Sequence, residues 1–160
     1  MTIIVEDGSI VPGANSYITV AEYEAWIDAR YPGHPDHGDS AKIEQLIFRA
    51  MDYFETQVFR GWKQTDEQPL QFPRYNLIID GFLVANNTIP SEVKKALYEI
   101  VYADEKNYGL FDVIQRRTRK EKVDVLEVEY MDNSASRVLV PAAAAWMRKL
   151  LMPRNMVVHI

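Results

Sequence analysis

The 160-residue chain contains no cysteine. That excludes a disulfide framework, a thiolate metal site and a cysteine nucleophile together, and it fits a reducing compartment. There is no Gly-rich phosphate loop, no His-Glu-x-x-His and no Gly-x-Ser-x-Gly. No stretch approaches the ~20 apolar residues of a membrane span. The opening residues Met1-Thr2-Ile3-Ile4-Val5-Glu6-Asp7 lack the basic start and apolar run of a signal peptide. The expectation is a soluble protein that acts where it is made. No internal repeat or low-complexity tract is present.

What is there reads as one globular domain. Hydrophobic residues make up 48% and charged residues 26%, too apolar for disorder. A chain of this length buries roughly 68–70% of its unfolded surface and needs no staples. The net charge of −5 is unevenly placed: residues 1–60 hold 10 acids and 4 bases, whereas residues 116–160 hold 5 acids and 9 bases. An acidic front and a basic back can orient copies or partners; ordinary surface scatter is the alternative.

Periodicity predicts a mainly α fold. Thr19-Val20-Ala21-Glu22 is a capping box, opening a helix that should end near Tyr31-Pro32-Gly33. Asp39 or Ser40 caps a second helix, whose stripe Ile43, Leu46, Ile47, Ala50, Met51, Phe54, Val58 repeats at three and four. Gly61 sits where its stop belongs. Pro90 starts a third helix with Val93, Ala96, Leu97, Ile100 and Val101 inside, ending at Gly109. Pro141 opens a fourth, with Trp146, Met147, Leu150 and Leu151, and Pro153 stops it.

Between these helices the period falls to two. Leu77-Ile78-Ile79 and Phe82-Leu83-Val84 flank Asp80-Gly81, a two-residue hairpin signal. Residues from Thr118 to Tyr130 alternate as a second hairpin, with its turn near Asp124. The fold class is therefore a bundle of about four helices with one or two short β-hairpins. The tail Arg154, Asn155, Met156, Val157, Val158, His159, Ile160 is apolar and extended in character.

Candidate sites are few. The loop Gly33-His34-Pro35-Asp36-His37-Gly38-Asp39 offers two histidines and two aspartates. A metal needs three or four converging ligands with outer support, and this open segment reads more simply as a solvated loop. The acid pairs Glu22/Glu24 and Glu127/Glu129 form no acid–base constellation, because the first pair diverges on its helix and the second suits a solvent face. The sequence offers no catalytic, metal or cofactor residue, and no enzyme is expected. The basic run containing Arg116, Arg117, Arg119, Lys120 and Lys122 could touch phosphates or an acidic neighbouring subunit, or could be a solvated hairpin. It lacks the interleaved aromatics of single-strand binders. Trp26 and Trp146 lie in helical stripes and read as core. Trp62, Phe72 and Arg74 bound a segment without a helical period and are the expected anchors pinning it to the bundle.

An ordered set of short motifs carries a resemblance. Glu6-Asp7-Gly8, Ala14-Asn15-Ser16-Tyr17, Gly61-Trp62, Gln71-Phe72-Pro73-Arg74, Asp80-Gly81, Ile89-Pro90-x-x-Val93-Lys94 and Lys120-x-Lys122-Val123…Glu127-Val128-Glu129-Tyr130 occur in that order. The chain resembles, from residue 3 to about 151, the head–tail adaptor (connector, or head-completion) proteins of tailed bacteriophages, some relatives of which carry a DnaT-like single-stranded-DNA-binding label. Phe72 stands where that family has Trp, and the last nine residues match none of its pattern. The resemblance implies a structural virion protein without catalytic residues or cofactors. About twelve copies would form a closed ring beneath the portal protein, extending the DNA channel toward a tail or neck protein. Double-stranded DNA would pass without specific binding, and no membrane would be involved. The place implied is the virion neck, with host cytoplasm during assembly. Residues 154–160 would dock on the portal or on a neighbour, and the basic hairpin would face the lumen or an adjacent subunit. The alternative is a DnaT-like single-stranded-DNA-binding module, which an isoelectric point near 5.2 argues against. A metal enzyme using His34 and His37 is the more distant third reading.

Overall fold

A computed structural model describes residues 2–33, 38–107, 118–120, 129–130 and 140–152. Within them, four helices and short antiparallel strand pairs surround one apolar core: α1 (Val20–Arg30), α2 (Ser40–Glu55), β1 (Trp62–Lys63), β2 (Arg74–Tyr75), β3 (Ile78–Ile79), β4 (Phe82–Leu83), α3 (Ser91–Glu105), β5 (Thr118–Lys120), β6 (Glu129–Tyr130) and α4 (Pro141–Met147).

Helix starts follow local chemistry. Thr19 accepts from the Glu22 N–H at 3.0 Å while the Glu22 carboxylate accepts from the Thr19 N–H at 2.8 Å, completing the capping box. Asp39 caps α2 by accepting the Lys42 N–H. Helix α3 is the centre of the bundle. It packs on α2 along one side and on α4 along another, which is why Val93, Ala96, Leu97, Ile100, Val101 and Ala103 are all buried. Its Asp104, also buried, meets the exposed Arg49 of α2 at 2.9 Å. Trp26 is buried, stacked on Tyr23 and Tyr98. Trp146 is only half-buried, with the Lys95 ammonium 4.6 Å from its ring centre.

Three helix ends differ from the sequence expectation. Helix α2 stops at Glu55, not at Gly61. The Tyr53 carbonyl accepts from both the Thr56 hydroxyl and the Gln57 amide, which turns the chain early. Helix α3 ends at Glu105, before Gly109, which lies outside the described residues. Helix α4 ends at Met147, well short of Pro153. There residues 150–152 run antiparallel beside 58–60: Arg60 donates to the Leu150 carbonyl at 2.8 Å, and Met152 to Val58 at 3.0 Å.

Of the hairpins, β3–β4 pairs Ile78 with Leu83 and Ile79 with Phe82 around Asp80-Gly81. Both turn residues have positive φ, 51° and 88°, as this tight turn requires. Strands β5 and β6 pair antiparallel, Thr118 opposite Tyr130, with a register shift before Lys120. The turn expected near Asp124 lies outside the described residues.

Candidate interaction surface

Residues 4–17 form a fixed approach to the bundle. Glu6 is buried, and its carboxylate accepts backbone N–H bonds from Gly8, Ile10 and Val11 at 2.8–2.9 Å. Three charge-assisted bonds hold the loop wrapped on one side chain and support Ile10 at a φ of 62°, a costly conformation for a β-branched residue. Asn15 exchanges bonds with Ile4 and donates to the Thr2 carbonyl. The chain then delivers Tyr17, fully buried, against Phe54 and Phe72.

Tyr17 begins a buried polar network that fastens the strand segment to α2. Its hydroxyl donates to Glu55 Oε1 at 2.8 Å and accepts the Phe72 N–H at 2.9 Å. Glu55 Oε2 accepts the Gln71 N–H at 2.9 Å. Arg74 then spreads its guanidinium over the carbonyls of Arg60, Gly61 and Gln71, at 2.7, 2.8 and 3.1 Å. Burial pushes the Glu55 carboxyl above its usual range, and pushes the Tyr17 hydroxyl far up with help from the neighbouring Glu55 charge. Tyr17 therefore remains a proton donor. Burial lowers Arg74, partly offset by Tyr17 and Glu55. Gln68 closes the same loop by donating to the Leu70 and Pro73 carbonyls. The Phe72–Pro73 bond is cis.

This rigid base presents an apolar outer face. In the β1–β2 ladder Trp62 pairs with Tyr75 and Lys63 with Arg74. Paired residues share a face, so with Arg74 turned inward, Trp62 and Tyr75 turn outward, 65% and 45% exposed. Beyond them the cross-strand pair Ile78 and Leu83 is 52% and 69% exposed; Phe82, paired with the buried Ile79 on the hairpin's other side, is 78% exposed, and Val58 is 68% exposed. An open groove of about 490 Å³ runs from this hairpin to α4, lined by Arg60, Ile78, Asp80, Ala145, Arg148 and Lys149 among others. Lys149 and Asp80 bridge it at 2.6 Å.

Trp62 is thus not the buried anchor expected from its position. The ladder reverses the expectation, because one of each alternate pair must face solvent. Phe72, fully buried, and Arg74 lie inside. Arg119 and Lys120 belong to β5, whereas Arg116, Arg117, Lys122 and the tail from Arg154 to Ile160 lie outside the described residues. So do His34, Asp36 and His37; no group of three metal-ligating side chains occurs among the described residues. No helix among them is long and apolar enough to cross a membrane. Sequence reasoning missed the cations Arg60, Arg148 and Lys149 around the groove. Phe82 and Leu83 carried a usable signal, two consecutive apolar residues after a tight turn in a two-stranded hairpin that cannot bury both faces.

No curated protein and no solved structure matches the chain significantly. A family model does, over residues 1–159, under the description "Putative DnaT-like ssDNA binding protein". With the match spanning nearly its whole length, the chain belongs to this DnaT-like family.

Proposed function

We propose that this protein is a structural adaptor of a tailed-phage neck rather than an enzyme. Copies would form a ring beneath a portal protein and extend the DNA channel to a tail or neck component, in the virion after assembly in the host cytoplasm. The observation that carries this reading is a firmly held, exposed apolar face. Large contiguous apolar surfaces mark protein–protein contact, and the network beneath this one keeps it preorganised. The ordered motifs shared with head–tail adaptors support the same reading. A net charge of −5 suits a wall along which DNA slides without adhering.

The apolar tail, Met156, Val157, Val158 and Ile160, would add an extended segment to the portal or the adjacent subunit. The test is electron microscopy of the protein mixed with the portal ring encoded in its genome, with and without residues 153–160. The expected result is ring density stacked on one end of the portal, lost on truncation. A full-length protein that leaves the portal bare overturns the adaptor reading. A truncated protein that still docks removes the tail from it.

Binding of single-stranded DNA is the second reading, favoured by the family description. Exposed Trp62 and Phe82 near the Arg60–Arg148 groove offer stacking rings beside cations. Tryptophan fluorescence titration with oligo-dT, wild type against Trp62→Phe, tests it. Sub-micromolar, steeply salt-dependent binding at physiological salt would favour this reading over the adaptor.

A further inference from the structure

We infer that the β3–β4 hairpin face is a head-to-tail contact that seats on the acidic N-terminal side of a second copy of this chain. The inference rests on the ring reading above and names the surface that would build the ring. The hairpin exposes the cross-strand pair Ile78 and Leu83 on one side and Phe82 on the other, each more than half exposed, and Arg60, Arg148 and Lys149 line the groove beside Ile78. Ile78 and Leu83 offer no plane for a nucleobase, and Asp80 pairs with Lys149 at 2.6 Å, leaving Arg60 and Arg148 as the rim's unneutralised cations among the described residues. Both features suit a protein partner better than a phosphate chain. The Asp80-Gly81 turn and the bond from Val84 N–H to the Leu77 carbonyl, 2.8 Å, hold the hairpin in shape. The backbone carrying Phe82 and Leu83 is therefore set before docking, which lowers the ordering cost.

Charge complementarity selects the occupant. A basic-rimmed apolar face needs an acidic counterpart, and residues 1–60 of the same chain hold 10 acids against 4 bases, an excess that remains when Glu6, Glu22 and Glu55, which are bonded within the fold, are set aside. On α1 the exposed Ala21, Ala25 and Ala29 lie beside Glu24 and Asp28, a low-profile surface that admits bulky rings from a neighbour. Face and counterface are different patches, so the contact is heterologous. Repeated through a closing rotation, such a contact makes a ring.

Sedimentation velocity on the full chain tests this with two variants, Phe82→Asp/Leu83→Asp and Glu24→Lys/Asp28→Lys. The substituted residues lie outside the core, so both variants should keep the wild-type circular dichroism and melting temperature. The wild type is expected to assemble beyond dimers as concentration rises, and each variant alone to stay monomeric. An equimolar mixture of the two should form a 1:1 dimer and stop, because one copy retains an intact hairpin and the other an intact α1 face. A hairpin variant that assembles like wild type overturns the inference, as does a mixture that forms no dimer. If that variant assembles normally but loses oligo-dT binding, the face belongs to nucleic acid. A wild type that stays monomeric overturns the inference and leaves the adaptor reading to its portal test.

Discussion

Removing one hydroxyl from the core tests how the outer face is held. Tyr17→Phe preserves ring packing against Phe54 and Phe72 but deletes an oxygen that makes two bonds. The Glu55 carboxylate loses a charge-assisted donor, an interaction worth about 1.5–3 kcal/mol, and the buried Phe72 N–H loses its acceptor, a cost of about 1–3 kcal/mol. Glu55 keeps the Gln71 N–H, and the apolar ring regains part of the desolvation cost. The expected net loss is about 2–4 kcal/mol, a large share of the 5–15 kcal/mol typical of a domain. For a chain of this size it corresponds to a melting temperature lower by roughly 5–15 °C. Urea denaturation gives the free energy, and a double-mutant cycle with Glu55→Gln gives the coupling, which should exceed about 1 kcal/mol. A loss under about 0.5 kcal/mol, or additive variants, would show that the network does not bind the strand segment to α2.

Three further outcomes follow from the same geometry. Burial holds the folded pKa of Glu55 above its ordinary 4.5, so the folded state binds the proton more tightly, and this group's contribution to stability falls as pH rises from 4.5 through the raised value. Glu55→Gln should flatten the stability–pH curve across that interval in urea melts; a slope equal to wild type's refutes the assignment. Gly61→Ala places a Cβ against the Tyr75 carbonyl at a φ of 71°, and should cost at least about 1–3 kcal/mol by thermal melt; an unchanged melt would mean that β1 and β2 do not approach so closely. Trp62→Ala should change stability by less than about 0.5 kcal/mol, since the side chain is largely exposed; a loss near the 3–5 kcal/mol of a buried aromatic would place it inside.

The helix starts and the central hairpin were legible in the sequence, since their signals act over a few residues. The Thr19–Glu22 box, Asp39, Pro90 and Pro141 mark helix starts, and Asp80-Gly81 marks the turn. Each is a local bond or a backbone preference that needs no distant partner. Tertiary structure alone decided which aromatic faces water. Trp62 and Phe72 stand in similar loop contexts, yet the pairing of β1 with β2 turns Trp62 out, while Tyr17, Phe54 and Phe59 enclose Phe72. It also joined Tyr17 to Glu55 across 38 positions and brought Arg60 beside Arg148 and Lys149 in one groove. Gly61 changed meaning for the same reason. It reads as a helix stop, but α2 has already ended, and the glycine instead lets the backbone come close to Tyr75. Burial and close approach depend on what another element covers, and local periodicity carries no record of that.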